Sequence, residues 1–195
     1  MTSLDNMRHR AYYEYLNRRS LLGTFYRNRI LYPYLLGITG PTFLDVGCGA
    51  GLFLAKGSES SLGLDINRFC VDSLRRKGLR ACTICHDGRF PVANRSFSSV
   101  VCDQVVEHLD DPSNLIAEIE RVITPNGLLL IGLPLEMGFS ADPDHRHFYD
   151  LHSIVNTVQR IAPSLHYSRH FFFPLPFGLF GKFFTWQYMY VIFRN

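Results

Sequence analysis

The stretch LDVGCGAG, residues 44–51, carries the strongest indication of fold in this chain. The apolar run Thr42–Val46 predicts a buried strand, and three alternate glycines follow it at Gly47, Gly49 and Gly51. Glycine tolerates positive φ and lets a backbone come close to a ligand. In doubly wound α/β sheets, ligands bind at the carboxyl ends of the strands. We therefore predict a nucleotide-type site at this loop.

Two acidic residues strengthen this prediction, since each follows a further predicted strand. Asp65 ends the strand 61–65, about twenty residues after the first strand, where a carboxylate suits two ribose hydroxyls. Asp87 follows the strand 79–85 and is placed to accept from an exocyclic amine such as that of adenine. Either residue alone is more typical of a surface or capping aspartate. Three such features after three successive strands indicate a nucleoside site.

The spacing of the glycines separates the classes of cofactor. A dinucleotide site is typical of G-x-G-x-x-G, whereas here Ala50 is followed directly by Gly51, which makes G-x-G-x-G. No G-K-S/T follows the loop, so a P-loop is excluded. The pattern disfavours a nicotinamide-dependent oxidoreductase, which we keep as a rival function.

Outward from the loop, strands alternate with helices, as in a parallel sheet. We predict a Rossmann-like, doubly wound, mostly parallel seven-stranded sheet with helices on both faces. The chain is expected to form a single domain with an N-terminal helical cap over 1–38 and a core over 39–195. Besides those above, the predicted strands are 98–103, 128–133, 165–173 and 187–193. Helices are predicted over 7–30, 68–77 and 152–161, and two further helices are predicted to start at Leu52 and Asp111.

The first of these helices, 7–30, carries six arginines and a row of apolar side chains at roughly helical spacing. A solvated arginine face is the favoured interpretation, and a cap over a binding site is the alternative. The arginines are Arg8, Arg10, Arg18, Arg19, Arg27 and Arg29. The apolar positions are Tyr12, Tyr15, Leu16, Leu22, Phe25 and Tyr26.

Five segments together resemble the class I S-adenosylmethionine-dependent methyltransferases, in particular the small group that includes the ubiquinone and menaquinone biosynthesis methyltransferases. They are LDVGCGAG (44–51), LGLDIN (62–67), CHDGRFPVANRSF (85–97), VVCDQVVEHLDDP (100–112) and RVITPNGLLLIGLP (121–134). The resemblance covers residues 40–150 well and the rest loosely. Two positions depart from the family pattern, Ser98 and Asn126, and neither touches the cofactor contacts. Asn tolerates the left-handed conformation, so the second departure is mild.

The resemblance implies S-adenosylmethionine as cofactor and assigns residues to it. The glycines of the first motif would pack against the methionine part, with Gln104 beside it. Asp65 would bind the ribose, Ile66 would lie against the adenine, and Asp87 would meet the adenine amine. The full predicted cofactor set is Asp45, Gly47, Cys48, Gly49, Gly51, Asp65, Ile66, Asp87, Gly88 and Gln104.

A methyl donor of this kind is already activated, so the protein mainly aligns an acceptor for in-line transfer. A base is needed only where the acceptor arrives protonated. His145, in the loop 137–149, is the first candidate for an acid or base, and anchoring that loop is an equal alternative. His108 is the second candidate, with organisation of its turn as the favoured interpretation. His147 or Tyr149 is expected to shape the acceptor pocket.

The stretch HFFFPLPFGLFGKFFTWQY, residues 170–188, has more aromatic side chains than a connecting loop normally carries. It is interpreted either as two core strands with an ordered hairpin or as an exposed apolar cluster over 171–186. An exposed cluster would serve an apolar small-molecule acceptor, a homodimer contact or a peripheral membrane contact. No segment is apolar over the length that a transmembrane helix requires.

Composition narrows the remaining possibilities. A net charge of +3 gives little support to a nucleic-acid partner. Cys82 and Cys85 lack the second ligand pair of a zinc site, so we predict buried strand cysteines and no metal. The odd number of cysteines and the lack of a signal peptide favour the cytoplasm. A non-catalytic partner subunit that binds the cofactor, or nothing, remains the other alternative, because methyl transfer demands no obligatory catalytic side chain.

Overall fold

A computed structural model describes residues 3–17 and 21–195 of the chain. Seven strands form a mostly parallel sheet with helices, as predicted. The chain divides into two compact units, Met1–Pro91 and Val92–Asn195. The expected single domain with its cap over 1–38 stays a prediction. No helix in the described ranges is long and apolar enough to cross a membrane.

The first unit contains three parallel strands in the order β3-β2-β1. Their bounds are β1 Leu44–Val46, β2 Leu62–Asp65 and β3 Ala81–Thr83. Helix α4, Arg68–Arg76, joins β2 to β3 and ends before Gly78, whose φ of 79° closes the helix. Every residue of β1 and β2 is buried, including Asp45 and Asp65, as expected for strands covered on both faces.

Two expectations for this unit are wrong. The residues after the glycine loop do not form an α-helix, since only a 3-10 turn at Leu54–Lys56 follows β1 and Gly57 ends it. Cys85 is exposed because β3 already ends at Thr83. The predicted strand 79–85 was therefore too long.

The described helical residues of the N-terminal part extend beyond the predicted range 7–30 and include a π-helical turn. They consist of α1 Ser3–Asn17, α2 Leu21–Tyr26, the π-helical turn Arg27–Leu31 and α3 Tyr32–Thr39. Arg18 and Arg19 lie outside the described residues. Leu16 is buried, whereas Tyr12 and Tyr15 are exposed, so the predicted apolar row does not form one buried face.

The second unit contains the strands β4-β5-β7-β6 in that order. Strands β4 Phe97–Asp103 and β5 Ile123–Pro134 are parallel, while β7 Tyr188–Arg194 is antiparallel to both β5 and β6 His166–Phe173. The helices of this unit are α5 Ser113–Val122, α6 Glu136–Ser140 and α7 Leu151–Ile161.

Local chemistry in this unit follows the sequence with small shifts. Helix α5 begins at Ser113, two residues after its predicted start at Asp111, and the Asp111 carboxylate accepts from the Ser113 amide over 2.9 Å. Strand β5 starts at Ile123, so Asn126 lies within the strand and does not separate it from α5. Asn126 adopts φ 63°, the left-handed conformation that its side chain tolerates.

Candidate functional site

The glycine loop 47–51 is shaped by three left-handed residues. Gly47, Gly49 and Gly51 have φ of 75°, 50° and 72°, so any other residue type would be strained at these positions. The amides of Gly47 and Cys48 both donate to the Leu64 carbonyl, over 2.8 and 3.0 Å. These hydrogen bonds tie the loop to the end of β2. A side chain at Gly51 would also overlap Leu74 of α4.

Asp65 joins the loop to the end of β2. Its Oδ2 accepts from the Gly49 amide over 2.8 Å, and its Oδ1 accepts from the Asn67 amide over 2.7 Å. Burial, which leaves the residue 7% exposed, raises the pKa of the carboxyl, while the hydrogen bonds from Asn67 and Gly49 oppose that shift. Each carboxylate oxygen can accept more than one hydrogen bond, so this arrangement leaves capacity for ribose hydroxyls.

The residues predicted to contact the adenine follow the carboxyl ends of β2 and β3 in the first unit. Ile66 directly follows β2 and is 63% exposed, which is unusual for an isoleucine and leaves an apolar surface available. The Ile84 amide donates to the Asp65 carbonyl over 3.0 Å, so the turn after β3 starts beside β2. In that turn Asp87 is exposed, and Gly88 has φ 83°.

Two further predicted cofactor residues, Asp45 and Cys48, are buried within the first unit. Burial raises the pKa of the Cys48 thiol well above its usual value, and the charges of Asp45 and Asp65 raise it further. A thiol in such surroundings stays protonated and is a poor nucleophile. Cys48 therefore contributes shape to the loop.

Helix α1 lies against the loop, a relationship that sequence reasoning offered only as an alternative. The Leu16 side chain comes within 3.3 Å of the position that a Gly49 Cβ would occupy. The Asn67 side chain donates to the His9 carbonyl over 2.7 Å, and the Tyr13 hydroxyl donates to Ser73 over 3.0 Å. No role was predicted for Asn67 from the sequence, although its side chain also caps α4 by accepting a hydrogen bond from the Phe69 amide.

Gln104 follows β4 in the second unit and has φ 59°. Its backbone amide donates to the Gly132 carbonyl over 3.0 Å, which fixes the residue to β5. Its side-chain Nε2 is buried and has no hydrogen-bond partner within the described ranges. A buried donor without an acceptor is costly, and a ligand carboxylate would satisfy it. This orphaned amide fits the methionine part of the predicted cofactor.

Glu107, His108 and His145 form a second polar cluster, in the second unit. Glu107 is only 1% exposed, and its two carboxyl oxygens have no hydrogen-bond partner among the described residues. Burial raises its pKa to about 8, and the charges of Asp103 and Asp142 add to that shift. Nothing in the sequence motif around Glu107 indicates its burial.

His145 has a defined orientation within this cluster. Its Nδ1 lies 2.8 Å from the Phe139 carbonyl, which can only accept, so Nδ1 carries the proton in the neutral ring. Its Nε2 is thereby left with a free lone pair, 3.9 Å from Glu107 Oε1. The rings of His145 and His108 have their centroids 4.6 Å apart, and burial lowers the pKa of His108.

Backbone hydrogen bonds hold the residues of this cluster together. The amides of Arg146 and His147 donate to the Glu107 carbonyl over 2.7 and 3.2 Å, which holds the loop after α6 against the end of β4. His108 and His145 are thus brought together, whereas the His147 side chain is exposed. Tyr149 is buried, and burial raises the pKa of its hydroxyl.

The same cluster could hold a metal ion, which the sequence did not predict. Glu107, His108 and His145 each offer one ligand atom, and these atoms lie within 4.8 Å of one another. Two imidazole nitrogens and a carboxylate oxygen are a ligand set that Zn²⁺ accepts in enzymes.

The chain is similar to several known proteins. Residues 44–131 match the family described as a methyltransferase domain. A Mycolicibacterium smegmatis protein, described as a probable S-adenosylmethionine-dependent methyltransferase, is 31% identical over 126 residues, which cover 62% of this chain and 49% of that protein. The ubiquinone biosynthesis O-methyltransferase of Pasteurella multocida is 25% identical over 111 residues, covering 48% of this chain and 46% of that one. The chain thus spans about half the length of these curated relatives.

Solved structures share the fold at low sequence identity. A SAM-dependent methyltransferase from Archaeoglobus fulgidus has a TM-score of 0.66 at 15% identity, covering 90% of this chain and all of that chain (100%). The N-methyltransferase NodS of Bradyrhizobium japonicum, solved with S-adenosylhomocysteine, has a TM-score of 0.65 at 16% identity, covering 86% of both chains.

The cyclase SpnF also has this fold, with a TM-score of 0.64 at 18% identity, covering 86% of this chain and 80% of that chain. The fold alone therefore does not determine the reaction. The family match over the glycine loop and the later motifs is more specific than the fold. Over residues 44–131 the chain is therefore similar to a methyltransferase domain, and its relatives are described as S-adenosylmethionine-dependent methyltransferases.

Proposed function

We propose that this chain transfers the methyl group of S-adenosylmethionine to a small, partly apolar acceptor by in-line attack. The observation that carries this proposal is the left-handed glycine loop bonded to Asp65, inside the segment that matches the methyltransferase domain. Such a loop leaves room for a ligand at close approach. Binding and alignment would supply most of the rate, since the sulfonium methyl is already activated.

The first unit would hold the nucleoside. Asp65 would accept from the ribose hydroxyls, the exposed Ile66 side chain would cover the adenine, and Asp87 would accept from its amine. The glycines of the loop, with Asp45, Cys48 and Gly88, would shape this pocket. In the second unit, Gln104 would donate its unpartnered Nε2 to the methionine carboxylate.

His145 is proposed as the base for an acceptor that arrives protonated. Its Nε2 is the unprotonated nitrogen of the neutral ring, because Nδ1 donates to the Phe139 carbonyl. The buried Glu107 carboxyl nearby would stabilise the imidazolium that forms, once it is ionised. His108, whose ring faces that of His145, would position it.

The surroundings of His145 support an acceptor with an apolar part. The Phe139 ring stacks on the His145 ring with centroids 5.2 Å apart, and Phe148 lies edge-on to Phe139 at 5.5 Å. Phe148 is exposed, so an apolar face borders the proposed base. A small aromatic or aliphatic hydroxyl or amine suits this combination. Five free cysteines support a reducing compartment such as the cytoplasm.

Calorimetric titration with S-adenosylmethionine, S-adenosylhomocysteine and NADH tests the cofactor. We expect micromolar binding of the two sulfur compounds and none of NADH. Methyl transfer is then measured from radiolabelled donor to a panel of small phenols, alcohols and amines. Binding without transfer to any acceptor would favour the rival function, a non-catalytic partner subunit. Binding of NADH alone would overturn the proposal in favour of an oxidoreductase.

A further inference from the structure

The connection between β6 and β7, residues 174–187, exposes four large apolar side chains. They are Phe177, Leu179, Phe183 and Trp186, and we call this set the aromatic ledge. Their exposures are 64%, 64%, 61% and 43%. Single exposed apolar residues are common, but four within ten residues are typical of an interaction surface.

The ledge belongs to an ordered segment. Gln187 is fully buried, and its side chain accepts from the Leu175 amide over 3.3 Å and donates to the Leu175 carbonyl. The same amide nitrogen lies 3.4 Å from the Phe177 carbonyl. Gly181 packs so closely on Leu135 that a Cβ would overlap it. These contacts fix the backbone of the connection against the rest of the unit and leave the ledge side chains exposed to solvent.

Lys182 is the one charged residue in the connection 174–187, and Glu136 of α6, the helix that packs on this connection, is an exposed acid nearby. The wider segment 151–195 also contains no aspartate or glutamate, although its Arg194 pairs with His166 at the end of the strands remote from the connection. Lys182 is exposed and lies inside the ledge segment. A connection that combines exposed aromatic rings with an exposed lysine and has no acid of its own matches an anionic lipid interface. A self-complementary protein contact would gain no charge pairing from this segment.

The ledge also lies at the functional edge of the second unit. Tyr188 at the start of β7 pairs with Pro134 at the end of β5. The β6–β7 connection therefore lies at the carboxyl end of β5, where the loop that carries His145 begins. Gly138 of α6 is close to the Thr185 carbonyl, 2.8 Å from the position a Cβ would take.

We propose that the aromatic ledge is a docking surface for anionic lipid membranes, with the rings entering the headgroup region and Lys182 meeting lipid phosphates. Interfacial binding of this kind scales with the buried apolar area and with attraction to anionic lipids. The inference rests on the exposed rings and the charge of the segment, and it does not depend on the methyl-transfer reaction.

Sedimentation with vesicles tests it, comparing pure phosphatidylcholine with a 70:30 mixture of phosphatidylcholine and phosphatidylserine. We expect binding to the mixed vesicles that weakens with added salt. The double variant F177S/F183S should bind at least about tenfold more weakly, since two apolar rings are lost. Lys182→Gln should weaken binding by about fivefold.

Phe25→Ser is the matched control, because Phe25 is 62% exposed but belongs to the first unit. It should bind mixed vesicles as the wild type does. Circular dichroism of each variant checks that the fold is kept. Absence of wild-type binding to mixed vesicles, or equal losses in the control and the double variant, would overturn the proposal. A wild-type dimer in sedimentation velocity that F177S/F183S converts to monomer would assign the ledge to a second copy instead.

Discussion

The Asp65 carboxylate accepts a hydrogen bond of 2.8 Å from the backbone amide of Gly49, sixteen residues earlier in the chain. The residue predicted to bind the ribose thus also holds the glycine loop in its left-handed shape. The other carboxylate oxygen accepts from the Asn67 amide over 2.7 Å. Because one side chain serves both the loop and the proposed ligand, its substitution should affect binding and stability together.

Asp65→Asn keeps the size of the side chain but turns one acceptor into a donor that faces a backbone amide. We expect S-adenosylmethionine affinity to fall about 10- to 100-fold, since hydrogen bonds to charged groups contribute about 1.5–3 kcal/mol. Calorimetry measures the change. Glu59→Gln, an exposed acid-to-amide change in the same unit, is the control and should bind normally. Wild-type affinity in D65N would show that the ribose assignment is wrong.

Gly51→Ala and Gly78→Ala separate backbone strain from steric overlap. Both glycines have positive φ, 72° and 79°, but only a Cβ at Gly51 meets a neighbour, the Leu74 side chain. We expect G78A to lose about 1–2 kcal/mol of unfolding free energy and G51A to lose about 2–4 kcal/mol. Urea denaturation measures both. Equal losses would mean that Leu74 moves aside without cost.

His145→Asn tests the proposed base while preserving the fold of its loop. The asparagine amide can replace the Nδ1 donor to the Phe139 carbonyl, but it has no nitrogen that accepts a proton. With an acceptor from the screen, turnover should fall about 10²- to 10⁴-fold while cofactor affinity stays unchanged.

His152→Asn is the matched control, since His152 is exposed on α7, and it should keep wild-type turnover. His108→Asn should have a smaller effect than H145N. If H145N turns over normally, the residue only anchors the loop, which is the alternative that the sequence left open.

Glu107 should make stability depend on pH. Its pKa is raised from 4.5 to about 8 by burial, so the folded state holds a proton that the unfolded state releases earlier. The stabilisation is complete below pH 4.5 and is lost as the pH rises towards 8. Across this interval each pH unit should lower the wild-type free energy of unfolding by up to about 1.4 kcal/mol through this group.

Glu107→Gln should flatten that slope, because the amide does not titrate. Glu136→Gln, an exposed substitution in the same unit, should retain the wild-type slope. Urea denaturation at pH values from 5 to 8, with a chelator present throughout, gives the comparison. Equal slopes in E107Q and the wild type would show that Glu107 is ionised in the folded protein across this range.

Much of the first unit could be predicted because its signals are local. Hydrophobic runs and turn residues predict the strand before Gly47, the position of Asp65 at the end of β2 and the glycine that closes α4. The missing helix after the loop could not be predicted this way. A short apolar run such as 52–55 suits a 3-10 turn as well as an α-helix, and packing decides between them.

The sequence by itself determined the fold class and the positions of the glycines and acids. It did so because a strand, a turn and a cap each depend on neighbouring residues. Only the tertiary structure showed that Glu107 is buried beside His145, that α1 lies against Gly49 and that the aromatic ledge faces outward. Burial and contacts between residues distant in sequence depend on how the whole chain packs, so local periodicity does not predict them.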